Sequence, residues 1–307
     1  MQNKKKFLSL LAIITISCAL LISCSGSTDS GDESTGTPVR VGWTQDTENG
    51  ILGNMAAILI QNSLDIPVET SENLGGTGIA HEAIIEGELD LYVDYTGDAL
   101  ANVLKQDPIT ESEKAYEAVK EGYLEEFDIT WLEPTPFNNT YALAVKEDVA
   151  DDLNLATISD LEPQASEWII GSSVEFANRE LDGYAGMVNH YGFEFKEIKP
   201  MDVGLMYTAV SSDEVDVIVA FATDARIGKL GLKVLEDDLN FFPSYNAAPT
   251  VRNDVLDQYP EIADTLNEVF TQLDTETMIE LNGQVDTENK NPKTVAEEYL
   301  KDQGYIE

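Results

Sequence analysis

The sequence predicts an α/β fold built on parallel sheets, and two observations carry that prediction. Short apolar, strand-like runs alternate with stretches of helical periodicity, and the same alternation resumes later in the chain. With 307 residues, 43% of them hydrophobic, the chain can bury one large or two medium cores.

Val39-Arg40-Val41 forms a short strand that stops at Gly42. From Glu48 to Leu64, Ile51, Leu52, Met55, Ile58 and Leu59 recur at helical spacing. Pro67 to Thr70 is a second strand, followed by a Gly75-Gly76-Thr77-Gly78 turn and a helix through Glu86. Leu89 to Tyr95 is a third strand, with helices over Asp98 to Leu104 and Glu111 to Phe127. The second passage places strands at Trp168 to Gly171, Phe193 to Ile198 and Val215 to Phe221, with helices between them. From Pro260 onwards the pattern is helical, and Leu266, Val269, Phe270 and Leu273 share one apolar face.

The two passages also align. Residues 88–99 (ELDLYVDYTGDA) match residues 214–225 (EVDVIVAFATDA) without gaps, which places Tyr95 on Phe221 and Asp98 on Asp224. Val41-Gly42 corresponds to Ile170-Gly171 at nearly the same offset. Chance likeness between two buried strands is one explanation; two lobes of similar topology facing one another is the other. In open α/β sheets ligands bind beyond the carboxyl ends of strands. Tyr95 and Phe221 would then be aromatic jaws, one from each lobe.

Composition excludes several functions. Lys+Arg number 18 against 57 Asp+Glu, and a formal charge of -39 repels a phosphate backbone, so no nucleic-acid partner is expected. Two Cys and two His leave almost no material for metal sites or disulfides. The N-terminus accounts for both cysteines. Lys4, Lys5 and Lys6 precede an apolar run from Phe7 to Leu21, and Leu21-Ile22-Ser23-Cys24 resembles the lipobox of bacterial lipoproteins. A transmembrane anchor is the competing reading, but the run is short for a span of about 20 residues. Residues 1–23 are therefore expected to be a signal peptide, Cys24 the lipidated residue, and 24–37 a flexible tether holding an extracytoplasmic protein to the membrane.

Enzymatic motifs are absent. Gly75-Gly76-Thr77-Gly78 lacks both the GK[ST] of a P-loop and the spacing of a dinucleotide turn, and reads as a tight turn capping a helix. His81-Glu82 begins like a zinc-protease helix, yet Ile85 stands where the second histidine belongs. His190 is placed as a surface residue at a helix end. No G-x-S-x-G elbow occurs, so neither catalysis nor a cofactor is expected.

The segments Thr47-Glu48, Gly75-Gly76-Thr77, Asp94-Tyr95-Thr96-Gly97, Phe137-Asn138-Asn139-Thr140-Tyr141, Phe176-Ala177-Asn178-Arg179, Thr223-Asp224 and Tyr245-Asn246-Ala247-Ala248-Pro249 follow in order along the chain. Together they resemble the substrate-binding lipoproteins of ABC importers for osmoprotectants, the glycine betaine, choline and carnitine binding family. The resemblance implies a bilobal type II periplasmic-binding-protein fold, two α/β lobes joined by two crossover hinge strands near Tyr141 to Val145 and Tyr245 to Val251. Lobe I would comprise 38–139 plus 246–307, and lobe II 140–245. It also implies delivery of ligand to a membrane permease driven by an ATPase.

By the same resemblance, Tyr95, Tyr141, Phe221 and Tyr245 occupy the positions of an aromatic cage for a quaternary ammonium group. A trimethylammonium donates no strong hydrogen bond, so ring faces are its best partners, each contributing about 0.5–2 kcal/mol. Trp43 is either a further wall or a packing residue. At the polar end the chain departs from the betaine pattern. Thr44 stands where relatives carry lysine or another polar group, and Asp98 where a threonine is frequent. Asp98 suits a ligand hydroxyl better than a ligand carboxylate, which places choline ahead of glycine betaine, carnitine and ergothioneine. A helix cap is the alternative for Asp98. Arg179 is expected either to pair with Asp98 or to grip a carboxylate, and Asn139 to hydrogen-bond either ligand class. A sensory receptor domain and a carboxylate-based hydrolase remain the rival classes.

Overall fold

Apolar residues at alternate positions decide which face each strand presents. In Leu91–Tyr95, Leu91, Val93 and Tyr95 face one buried cluster while Tyr92 faces another. The computed structural model describes residues 36–307, so the signal peptide, Cys24 and nearly all of the tether lie outside the described residues. Ten strands run in chain order: β1 (Val39–Thr44), β2 (Val68–Leu74), β3 (Leu91–Tyr95), β4 (Ile129–Trp131), β5 (Tyr141–Lys146), β6 (Ile169–Ser172), β7 (Glu197–Pro200), β8 (Val217–Phe221), β9 (Leu232–Leu235) and β10 (Ala247–Arg252).

They form two five-stranded sheets of the same layout, β2-β1-β3-β10-β4 and β7-β6-β8-β5-β9. In each, the first three strands are parallel and the fourth is antiparallel. The aligned strands β3 and β8 are both central and both end on an aromatic ring. Tyr95 lies opposite Ala247, and Phe221 lies opposite Tyr141. The internal similarity is thus a shared topology.

The chain passes between the sheets twice, from β4 to β5 and from β9 to β10. The two crossing segments lie side by side. Asn139 N donates to Tyr245 O at 3.1 Å, Tyr245 N to Asn138 Oδ1 at 2.8 Å, and Thr140 Oγ1 to Pro243 O at 2.8 Å. Asn138 and Thr140 on the first crossing thus each satisfy a backbone group of the second.

The helix Thr47–Leu64 is begun by Asp46, whose carboxylate accepts from Asn49 N. It is buried on all sides from Glu48 to Ile60, packed among β1 and the helices Glu261–Phe270, Thr275–Asp286 and Pro292–Asp302. Trp43 is a packing residue. It is buried and sits against Gly53, where a Cβ would meet its ring at 2.6 Å. No helix of the described residues is long and apolar enough to cross a membrane.

Several boundaries differ from the sequence reading, and the first strand, expected to stop at Gly42, runs on to Thr44. The second strand begins at Val68 and continues to Leu74. The third starts at Leu91 and the eighth at Val217, because Asp90 and Asp216 carboxylates turn back onto Arg40 and Ile169. The strand expected at Phe193 to Ile198 is Glu197–Pro200. Phe193 and Phe195 are instead core anchors of a loop tied down by Lys196 N on Ala165 O and Trp168 O. After Asp98 the helix widens into a π turn, Ala99–Leu104.

Candidate functional site

All eight candidate side chains, Thr44, Tyr95, Asp98, Asn139, Tyr141, Arg179, Phe221 and Tyr245, line one cleft of about 910 Å³. Both sheets and both crossings contribute to it. That is within the size range of small-molecule sites.

The rings come together by backbone register. Tyr141 opens β5 and sits 5.3 Å from Phe221 between centroids, its partner across the ladder. Tyr245, on the second crossing, meets Tyr141 edge to face at 5.7 Å. Gly97 makes room for it, since a Cβ there would stand 2.6 Å from the Tyr245 ring. Phe176, fully buried, supports Tyr141 from behind at 5.0 Å. Tyr95 stands apart from this trio and turns its hydroxyl to Glu48, at 2.8 Å.

Arg179 ties the cleft together. The short helix Val174–Asn178, capped by Ser173, ends at Arg179 and directs it inward. Its guanidinium bonds Asp182 at 2.6 Å, Glu175 at 2.7 Å and Tyr245 Oη at 2.5 Å, and forms an ion pair with Asp98. It also lies 5.9 Å from the ring centroids of both Tyr141 and Tyr245. Burial works against its charge, but Asp98 and the other anions hold its pKa above the ordinary arginine value. Asp98 therefore pairs with Arg179, and its side chain caps no helix amide. Its Oδ1 takes Arg179 and Asn102, while among the described residues Oδ2 accepts no hydrogen bond. Burial raises the Asp98 carboxyl to about 6, with Arg179 opposing the rise.

Thr44 and Asn139 face other groups. Thr44 Oγ1 donates to Asp46, and Asn139 Nδ2 donates to Glu48 at 2.9 Å. Sequence reasoning missed Glu48 as a site residue, although Thr47-Glu48 was among the segments carrying the resemblance. It also missed Arg226, Asn282 and Asp286, which line the cleft with it. Arg226 pairs with Asp224 and Asp286 and stacks 4.4 Å from the Tyr207 ring centroid. The alignment of Asp98 with Asp224 was a pointer to that corner. Nothing local points to Asn282 and Asp286, which arrive from the C-terminal helix Thr275–Asp286 by tertiary packing.

The cleft is electronegative. Six carboxylates line it, from Asp46, Glu48, Asp98, Glu175, Asp224 and Asp286, against Arg179 and Arg226. Both arginines are already paired with two or more carboxylates each. The Gly75–Gly78 turn forms part of the rim and begins the helix Thr77–Ile85, with Gly76 at φ +136°, a conformation that favours glycine. His81 is a packing residue between the edges of Tyr123 and Phe127, and exposed His190 contacts Leu239 O.

The family profile described as "Substrate binding domain of ABC-type glycine betaine transport system" matches residues 37–302. A carnitine transport binding protein of Listeria monocytogenes is 36% identical over 305 residues, covering 99% of each chain. A glycine-betaine-binding protein of Pseudomonas aeruginosa is 36% identical over 297 residues, covering 92% of this chain and 93% of its own. A crystal structure of a glycine betaine/carnitine/choline ABC transporter component superposes with a TM-score of 0.79 at 35% identity, over 89% of this chain and 100% of its own.

Behind the cage, Asp94 is buried and accepts from Tyr92 Oη at 3.0 Å, Tyr123 Oη at 3.2 Å and Tyr95 N at 2.9 Å. Burial and the Asp98 charge raise its carboxyl from the ordinary 3.8 to about 7. A group that holds its proton more tightly when folded stabilises fully below its unfolded pKa and loses that contribution as pH rises through the folded value. The melting temperature of wild type should therefore fall more than that of Asp94→Asn between about pH 5 and pH 8. Calorimetric curves that run parallel over this range contradict the assignment.

Proposed function

The chain belongs to the family of substrate-binding domains of ABC-type glycine betaine transport systems, and on that premise we propose that it is the lipid-anchored receptor of an importer for a quaternary ammonium compound, choline first. It is a binding component, not an enzyme, and works outside the cytoplasm with a permease as partner. The lobes, 38–139 plus 246–307 and 140–245, close around the ligand and present it to that permease.

One observation carries the ligand choice: both cationic side chains lining the cleft are spent on carboxylates, while Asp98 Oδ2 is free. A carboxylate-bearing ligand would meet Asp98 as a like charge, in a site poorly screened by water. A choline hydroxyl would instead donate to Asp98 in a charge-assisted hydrogen bond. The ammonium end meets Tyr95, Tyr141, Phe221 and Tyr245 in an anionic surround, which favours a net cation over a zwitterion. Phe221 offers a ring face without a hydroxyl.

The names of the Listeria and Pseudomonas relatives favour a second reading, in which the ligand is carnitine or glycine betaine. Arg179 would then exchange one of its protein carboxylates for that of the ligand.

Asp98→Thr separates the two readings, because it removes the acceptor charge and withdraws one of the three carboxylates paired with Arg179. Calorimetric titrations should show choline weakened by about 1–3 kcal/mol, the value of a hydrogen bond to a charged group, with glycine betaine improved relative to choline. A wild type that already prefers glycine betaine, or a ratio that does not move, contradicts the choline assignment. The anchor has its own test. Cys24→Ala should release the protein from membranes or leave an uncleaved precursor, and intact mass of the mature form should start at residue 24. A membrane-bound mature form starting elsewhere contradicts lipidation at Cys24.

A further inference from the structure

We propose that Glu48 is the buried counter-anion of the cleft, an ionised carboxylate that selects a positively charged ligand partly through the Tyr95 ring. The inference rests on the quaternary-ammonium reading above.

Glu48 stands in the first turn of the helix Thr47–Leu64 and is only 4% exposed. A carboxylate taken out of water is ordinarily paired with a cation. Here the partners are neutral. Tyr95 Oη at 2.8 Å and Asn139 Nδ2 at 2.9 Å donate to Oε1, and Asn282 Nδ2 donates to Oε2 at 2.8 Å. The two cleft arginines pair with other carboxylates.

Two side-chain amides face the carboxylate. Asn139 and Asn282 both turn nitrogen towards Glu48, one to each oxygen, and both leave their Oδ1 atoms buried without a partner. Asn282 Nδ2 donates to Thr223 O as well, at 3.2 Å, so the groups around Glu48 offer dipoles and no positive charge.

Burial raises the Glu48 carboxyl above its ordinary value, while hydrogen bonds from Thr223, Asn282 and Tyr95 pull it back. What this arrangement lacks is a positive charge, and Glu48 and Tyr95 both line the cleft where a ligand enters. The hydrogen bond from the Tyr95 phenol to a carboxylate also enriches the electron density of its ring, which strengthens the attraction of its face for a cation.

The test compares choline with 3,3-dimethyl-1-butanol, its neutral carbon isostere of nearly the same shape. Wild type should bind choline on the order of tenfold or more tighter than the isostere. Glu48→Gln should weaken choline on the order of tenfold and leave the isostere within about threefold, so that the preference collapses. A purely structural role for Glu48 would weaken both ligands alike. Asn282→Leu withdraws one donor that holds the charge, and should lower the same ratio even if Glu48→Gln fails to fold. A wild-type preference near unity, or a ratio unmoved in whichever variant folds, overturns the role of Glu48 while leaving the ligand reading intact. Failure of wild type to bind any quaternary ammonium compound overturns both.

Discussion

An arginine buried in a cleft wall needs anions around it, and where those anions come from determines how the two halves of the protein meet. Arg179 lies at the end of a short capped helix. It draws Glu175 and Asp182 from its own side, Asp98 from the end of β3, and Tyr245 from the second crossing. Removing Arg179 would leave Asp98 and Asp182 without a cationic partner, whereas losing one carboxylate leaves Arg179 two others. The trio of Tyr141, Phe221 and Tyr245 rings depends on Arg179, because Tyr245 is gripped at its hydroxyl while its ring packs on Tyr141.

On the proposed reading, the same arrangement sets selectivity. Hydrogen bonding cannot recognise a quaternary ammonium group, so its binding depends on ring faces and on the field around them. Six carboxylates set that field, with Glu48 bonded by Tyr95 and Asp98 paired with Arg179. A small cation with a hydroxyl satisfies both. A zwitterion satisfies the first only by displacing something at the second.

Much of this was legible in the sequence, for identifiable reasons. The aligned strands 88–99 and 214–225 revealed two sheets of one topology, because both are central strands with the same buried alternation and the same aromatic end. Tyr95 and Phe221 stood out as strand ends in the internal alignment, whereas Tyr141 and Tyr245 came from the family resemblance alone; the structure brings all four to one cleft. Glu48 was passed over because a glutamate in the first turn of a helix is ordinarily a solvated, dipole-facing charge. Its burial comes from the C-terminal helices, and its partner Asn282 lies 234 residues away. The loop that carries Phe193 and Phe195 read as a strand because its apolar residues alternate. Hydrogen bonds to Ala165 and Trp168, invisible to periodicity, fixed it otherwise.

The central claim is that a quaternary cation sits among these rings with its polar end on Asp98. A crystal structure of the protein with choline tests this most directly. The account predicts the ammonium nitrogen within about 6 Å of the ring centroids of Tyr95, Tyr141, Phe221 and Tyr245, with the choline hydroxyl donating to Asp98. Choline bound outside the cage, or with its hydroxyl turned away from Asp98, would contradict it.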